Sequence, residues 1–269
     1  MKLRSDPFQI FRHSKTPAGL YARKKWLKER YHSSYKNDFE ETVRFLLSGQ
    51  STDGSWKKSF MKTIKRLFGL HLTVRDENEP VRKGLDWLAG QTSSFFNRKR
   101  IRLVEKIGEN DLAGLPFTKG SSVLLITGAT LFLSSVFGHK DDPGILKIYD
   151  GFQAVGSKGS GRWCGWSSYN NILRAFVVHP HYSTSGAVAL AVNNLRRVQK
   201  NSGKWPGAVP FYQTVNALAH LDSAEGDAQL ELAFKYLYET QRRDGTWSRS
   251  QPEWNSFLII HALKNKGEM

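Results

Sequence analysis

Along most of the chain, apolar residues recur every three or four positions, the spacing of one face of a helix. Val43, Leu46 and Leu47 form one such stripe and Val81, Leu85 and Leu88 another. Val188, Ala191, Val192 and Leu195 form a third, and Leu232, Tyr236 and Leu237 a fourth. After each stripe and a short polar stretch comes a more apolar segment, as in ILRAFVV, TVNALAHL and FLIIHAL. A helix apolar on all sides is a buried one. The pattern therefore predicts a repeated unit of amphipathic outer helix, corner and buried inner helix.

The corners repeat as well. Phe45 to Trp56 (FLLSGQSTDGSW), Asn194 to Trp205 (NLRRVQKNSGKW) and Tyr236 to Trp247 (YLYETQRRDGTW) each place Gln six residues before Trp, with Gly two before the Trp. Two degenerate copies fill the gap, WLAGQ at Trp87 to Gln91 and GFQAVGSKGSGRW at Gly151 to Trp163. Asp-Gly and Ser-Gly are turn dipeptides in which Gly takes positive φ. The Gln amide suits the unpaired backbone groups at a helix end, and the Trp suits a plug between neighbouring hairpins. Such units cannot bury their inner helices alone and must stack. The expected fold is all-α, an α/α toroid of about five to six helical hairpins in a single domain. A basic N-terminal segment with a helix is expected over 1–36, where Leu20 to Tyr31 could help close the ring, and the toroid over 37–269, with a long insertion at 92–116. Asp141-Asp142-Pro143 and the DENEP run from Asp76 to Pro80 carry the acid and proline expected at helix starts.

Composition narrows the setting. One cysteine, Cys164, excludes an internal disulfide, and the N-terminal MKLRSDPFQIFRHSKTP lacks the apolar core of a secretory signal. Both point to the cytoplasm, optionally peripheral to a membrane. The longest apolar run, Ser122 to Phe137, is shorter than the ~20 residues a spanning helix needs. It is expected as a buried helix, with no transmembrane segment. The net charge is +16, which bears on partners rather than on fold. The basic clusters are Arg23, Lys24, Lys25, Lys28 and Arg30; Lys57, Lys58, Lys62, Lys65 and Arg66; and Arg98, Lys99, Arg100 and Arg102. They suit a diphosphate, an anionic membrane or nucleic acid, or plain solvated surface.

The tandem aromatic-Leu-x-x-x-Gln…Gly-x-Trp signature resembles the QW repeats of squalene and oxidosqualene cyclases, and the related repeats of protein prenyltransferase β subunits. It covers roughly 37–265 and implies a toroid whose inner helices line an apolar cavity. The chemical motifs of that superfamily are not matched. The Asp-x-Asp-Asp acid of class II cyclases has its nearest counterpart in His139-Lys140-Asp141-Asp142, with His at the first position. The zinc-binding Asp-x-Cys pair of the prenyltransferases would use Cys164, but Arg162 stands where the Asp should. An Asp-Asp-x-x-Asp magnesium-diphosphate motif is absent from the sequence. No metal site and no cofactor are expected, and His179-Pro180-His181 reads as structural.

A second regularity marks the inner-helix starts, where Tyr169-Asn170-Asn171, Tyr212-Gln213-Thr214 and Trp254-Asn255-Ser256 align as aromatic, amide and small polar residue. Phe60-Met61-Lys62 and Phe117-Thr118-Lys119 occupy the matching places. In a closed ring these triplets would form an aromatic collar, with lysines on one arc. The ligand-contacting set expected on this basis is Lys62, Lys119, Trp166, Tyr169, Asn170, Asn171, Tyr212, Gln213, Asn216, Trp254 and Asn255. Aromatic faces stabilise cations and lysines meet phosphates. The same residues would also serve simply to pack and cap helices. Arg174 and Asn216 stand out as polar groups within inner helices, and Glu253 is the candidate catalytic acid.

Three functions remain open on the sequence. One is a terpenoid cyclase- or prenyltransferase-like protein that holds an isoprenoid or similar apolar ligand, with or without a diphosphate, in a central cavity. A second is a non-catalytic toroid for a lipid or peptide, which the missing acid and zinc ligands favour. The last is a surface binder of anionic membrane or nucleic acid. Nucleic acid ranks lowest because no recognition motif is present.

Overall fold

The computed structural model describes residues 3–96, 106–159 and 161–269. The basic run Arg98, Lys99, Arg100 and Arg102 lies outside them. Among the described residues there are eleven α-helices: α1 (Pro17–Lys25), α2 (Ser33–Leu47), α3 (Phe60–Thr73), α4 (Glu79–Phe96), α5 (Ser122–Val136), α6 (Pro143–Lys158), α7 (Trp166–Phe176), α8 (Gly186–Val198), α9 (Phe211–Leu218), α10 (Ala224–Thr240) and α11 (Pro252–Asn265). Many starts carry the side chain expected of an N-cap. Thr16 accepts from the Gly19 N–H, Ser59 from Lys62, Asp142 from Gly144 and Ile145, and Ser185 from Val188. At the DENEP run the capping side chain is Asn78, which accepts from the Val81 N–H at 3.0 Å.

The odd-numbered helices form an inner ring. α1 packs on α3, α3 on α5, α5 on α7, α7 on α9 and α9 on α11, and α11 returns to α1. The even-numbered helices lie outside, with α4, α6, α8 and α10 in lateral succession. Each hairpin reverses the chain, so the six inner helices run in the same sense. The apolar run expected as a buried helix is α5, buried from Leu125 to Ser135. No described helix is long and apolar enough to cross a membrane. A Cβ on Gly128 of α5 would stand 2.4 Å from the Asn171 carbonyl oxygen, so this glycine sets the close approach of α5 and α7. Tyr149 of α6 is fully buried, and its hydroxyl lies within hydrogen-bonding distance of the Ala175 carbonyl of α7, at 3.0 Å, and the Leu131 carbonyl of α5, at 3.2 Å.

The three complete corners share one geometry. The Gln50 amide donates to the Gly54 carbonyl within its own corner and to the Pro80 carbonyl of the next outer helix. Gln199 joins Gly203 and Gln229 in the same way. Gln241 joins Gly245 to Ser5, and its carbonyl oxygen accepts from the Arg4 and Ser5 N–H groups. The last corner therefore clasps the N-terminal segment and completes the circle. The Trp indoles donate backwards, Trp56 to Ser48, Trp205 to Leu195 and Trp247 to Leu237.

The two degenerate copies differ. Gln91 lies within α4 and is exposed, because no Gly-x-Trp follows to stop the helix. Gln153 lies within α6, and the turn comes later, at Gly161 (φ 82°) and Trp163, whose indole donates to the Phe152 carbonyl. The helix expected over Leu20 to Tyr31 is shifted and shorter. α1 spans Pro17–Lys25, and Lys28 in left-handed geometry (φ 59°) then turns the chain. Buried Arg23 ties this turn to α2 through Glu29 and Asp38, at 2.8 Å each.

Candidate functional site

The inner ring encloses a chamber of about 170 Å³ to which all six inner helices contribute. Tyr21 comes from α1; Phe68, His71 and Leu72 from α3; Phe132 and Val136 from α5. Arg174 comes from α7, Asn216 from α9 with His220 just beyond it, and Trp254, Phe257, Leu258 and His261 from α11. The polar members sit towards the C-terminal ends of these helices. A groove of about 410 Å³ adjoins the chamber between α1, α3 and the start of α11. Phe68, Leu72 and Trp254 line both spaces. The Phe68 and Trp254 rings meet edge-on at 5.8 Å, and Trp254 stacks on Phe257 at 5.3 Å.

Arg174 is the most constrained group of the chamber, with 7 % of its surface exposed. One guanidinium nitrogen donates to the Asn216 side-chain oxygen at 2.5 Å, and Asn216 in turn donates to the Leu258 carbonyl. The guanidinium lies over the Phe132 ring, 5.2 Å from its centroid. Its Nε is buried without a partner, and no ion pair among the described residues includes it. Burial pulls its pKa down to about 9, so it remains charged at neutral pH. Taking an ion out of water costs several kcal/mol. The bond to Asn216 offsets on the order of 1.5–3 kcal/mol and the ring about 2 kcal/mol. The opposite charge that normally accompanies a buried cation is missing from the walls.

Three of the chain's eight histidines surround this cation. His220 and His261 lie 5.3 Å apart, ring to ring. His71 Nδ1, His220 Nε2 and His261 Nδ1 are each buried without a hydrogen-bond partner. Burial, followed by the nearby positive charge, pushes His71 down to about 3 and His261 to about 4, and His220 falls well below its ordinary value. At neutral pH all three are uncharged, with one ring nitrogen able to donate. Among the described residues no group of three or more His, Cys, Asp or Glu is disposed to hold a metal ion. Arg75, exposed at the rim, holds its guanidinium 5.6 Å from the Tyr21 centroid.

The residues singled out from the sequence divide between this chamber and other tasks. Asn216 and Trp254 line it. Trp254 also donates to the Leu115 carbonyl, Asn170 to the Pro116 carbonyl, and Asn171 exchanges bonds with the backbone of Thr118. These three side chains pin the 115–118 segment across the starts of the inner helices. Tyr169 is buried and donates to the Ala191 carbonyl, Tyr212 donates to Trp247, and Asn255 donates to Ser250. Gln213 is half-buried at the start of α9. Trp166 is half-buried beneath the Arg162 guanidinium. Lys62, Lys119 and Arg162 are exposed and line neither space. Glu253 stands on the groove wall, its carboxylate accepting from the Ser14 and Thr16 hydroxyls.

Other candidate groups have structural work. Asp142 caps α6. His179 accepts from the His181 and Tyr182 N–H groups and so holds a turn. Burial pushes the Cys164 thiol up to about 11, far from thiolate chemistry. A larger groove of about 510 Å³ runs between α4 and α6 over Ile148, Phe152 and Val155. Among the described residues its wall offers only Ser93 and Lys147 as polar side chains, whereas a binding site combines an apolar wall with a few convergent polar groups.

The histidines carried a signal that the collar argument passed over. Trp56 to His71 and Trp205 to His220 span 15 residues each, and Trp247 to His261 spans 14. They form a further column of the repeat, one polar residue at the same depth of three apolar inner segments.

No protein-family model matches the chain, and no curated protein matches it either. Among solved structures the chain is similar to a protein from Actinoplanes, with a TM-score of 0.58 and 16% identity, over 96% of this chain and 90% of that one. At that identity the likeness shows the fold alone.

Proposed function

We propose that this protein is a binding toroid that holds an isoprenoid-like or similar apolar small molecule at the centre of its ring. The observation that carries this reading is the aromatic groove of about 410 Å³, whose inner wall of Phe68, Leu72 and Trp254 is also the wall of the central chamber. Its volume lies within the ~300–1,000 Å³ of small-molecule sites. The resemblance to squalene cyclases and prenyltransferases supports an isoprenoid as the ligand class. Binding is favoured over protonation-initiated cyclisation because the chamber presents Arg, His and Asn and no carboxylate. Glu253 is the acid a catalytic version would use, but it stands on the groove wall, tied to the Ser14 and Thr16 hydroxyls, and does not line the chamber.

Mass spectrometry of an organic-solvent extract of the purified protein tests the reading. A co-purifying apolar molecule is expected, and Leu72→Trp, which fills the shared wall, is expected to remove it. An empty extract, together with no binding of farnesol or squalene, would overturn the proposal. Incubation with squalene or prenyl diphosphates tests the catalytic alternative. A product whose formation is lost in Glu253→Gln would make the protein an enzyme instead.

A further inference from the structure

The chamber gathers positive charge and hydrogen-bond donors with nothing to receive them. Arg174 Nε, His71 Nδ1, His220 Nε2 and His261 Nδ1 are buried and unpartnered. They come from α3, α7, α11 and the turn after α9, so no single helix–helix contact accounts for their convergence. The remaining charged groups near them have the same sign. Arg75 stands at the rim, and Lys266 acts on His220 from beyond while paired to Asp227. The carboxylate of Glu253 is on the groove wall, held by Ser14 and Thr16.

From this arrangement we infer that the chamber is an oxyanion site, which takes the carboxylate or phosphate end of an amphipathic ligand whose apolar part lies in the groove beyond Phe68, Leu72 and Trp254. The inference rests on the reading above for the tail and adds the head. The size of the chamber agrees. About 170 Å³ is room for a headgroup, below the ~300 Å³ at which sites enclose whole ligands. The guanidinium offers a planar fork of donors that matches the oxygen pair of a carboxylate or phosphate. Each neutral imidazole can turn a donor inward by choice of tautomer. An anion there would supply the counter-charge that the Arg174 guanidinium lacks, beside imidazoles whose buried nitrogens have no partner of their own. The exposed Lys62 and Lys119 are not needed for it.

Three probes with the same tail test the head: dodecanoate, dodecyl phosphate and dodecanol, each below its micelle-forming concentration and titrated into the full chain by calorimetry. At least one acidic probe is expected to bind about ten-fold or more tightly than the alcohol, the scale of a charge-assisted contact. Whichever acid is preferred identifies the headgroup. In Arg174→Met the preference is expected to fall towards one while dodecanol binding is kept. His261→Phe, a second variant should the first not fold, is expected to reduce it several-fold. Equal affinity of all three probes for the unmodified protein overturns the oxyanion site and leaves the groove reading standing. Binding of none overturns both. A preference for the acids that survives in both variants shows that the anion sits elsewhere, and also overturns the inference.

Discussion

At the residue scale, the informative side chain is Arg174, a buried guanidinium with one hydrogen-bonded partner and no counter-ion. A charge retained for a ligand contributes little to the stability of the empty protein, and an apolar replacement of similar volume is often neutral or stabilising. Arg174→Met is therefore expected to change the unfolding free energy of the ligand-free protein by no more than about 1 kcal/mol in urea, against the 3–5 kcal/mol of breaking a buried pair. The histidines give a pH signature. Their folded pKa values lie below the unfolded value of 6.5, at about 3 for His71 and about 4 for His261. The unfolded chain then binds more protons, so their contribution is complete above 6.5 and declines as pH falls towards 3. Urea midpoints should drop between pH 7 and pH 5, and the drop should shrink when His71, His220 and His261 are replaced together by Phe. A bound anion raises the folded pKa values, so dodecanoate should flatten the same slope.

At the scale of elements, the corner is a joint between consecutive units. Gly203 has φ 81°, and a Cβ on it would stand 2.1 Å from the Leu232 carbonyl oxygen of the next outer helix. Gly203→Ala combines left-handed strain with a backbone clash and should cost about 3 kcal/mol or more in urea unfolding. Gly207→Ala, with no atom within 4 Å, is the control and should lie within about 0.5 kcal/mol of the unmodified protein. Gln199→Ala removes the bonds to the Gly203 and Gln229 carbonyls that join two units and should cost about 1–3 kcal/mol. These corners were legible in the sequence because Gln, Gly and Trp each answer a local need that recurs. Gln91 and Gln153 were misleading for the same reason. A Gln alone does not end a helix, and without a well-placed Gly-x-Trp α4 and α6 run on. The collar was half legible. The triplets at Tyr169, Tyr212 and Trp254 do align, but position along an inner helix does not reveal what crosses its end. There Asn170, Asn171 and Trp254 hold the 115–118 segment.

At the scale of the whole molecule, closure depends on the N-terminal segment. α1 fills the place between α11 and α3, and Gln241 grips Arg4 and Ser5. Removing residues 1–25 takes away α1, Tyr21 included, and opens the ring, so calorimetry of the truncated chain is expected to show a broader, lower-temperature transition than the single cooperative step expected of the full chain. A ring puts residues distant in sequence side by side. That is why Arg174 and Asn216 stand out in the sequence one at a time while the three histidines do not, and why none of them reads there as part of one site. The chain carries a net charge of +16, and the residues lining the chamber are only positive or neutral, a balance that favours anions over cations.

A ligand held inside this ring with its charged end among the histidines must perturb their ring nitrogens. The most direct measurement is a ring-nitrogen NMR spectrum of protein labelled with ¹⁵N-histidine, taken with and without dodecanoate at neutral pH. Shifts are expected at the resonances of His71, His220 and His261, each assigned by single substitution, with His13, His32, His139, His179 and His181 unmoved. Unchanged resonances at the three chamber histidines while dodecanoate is bound would contradict that placement.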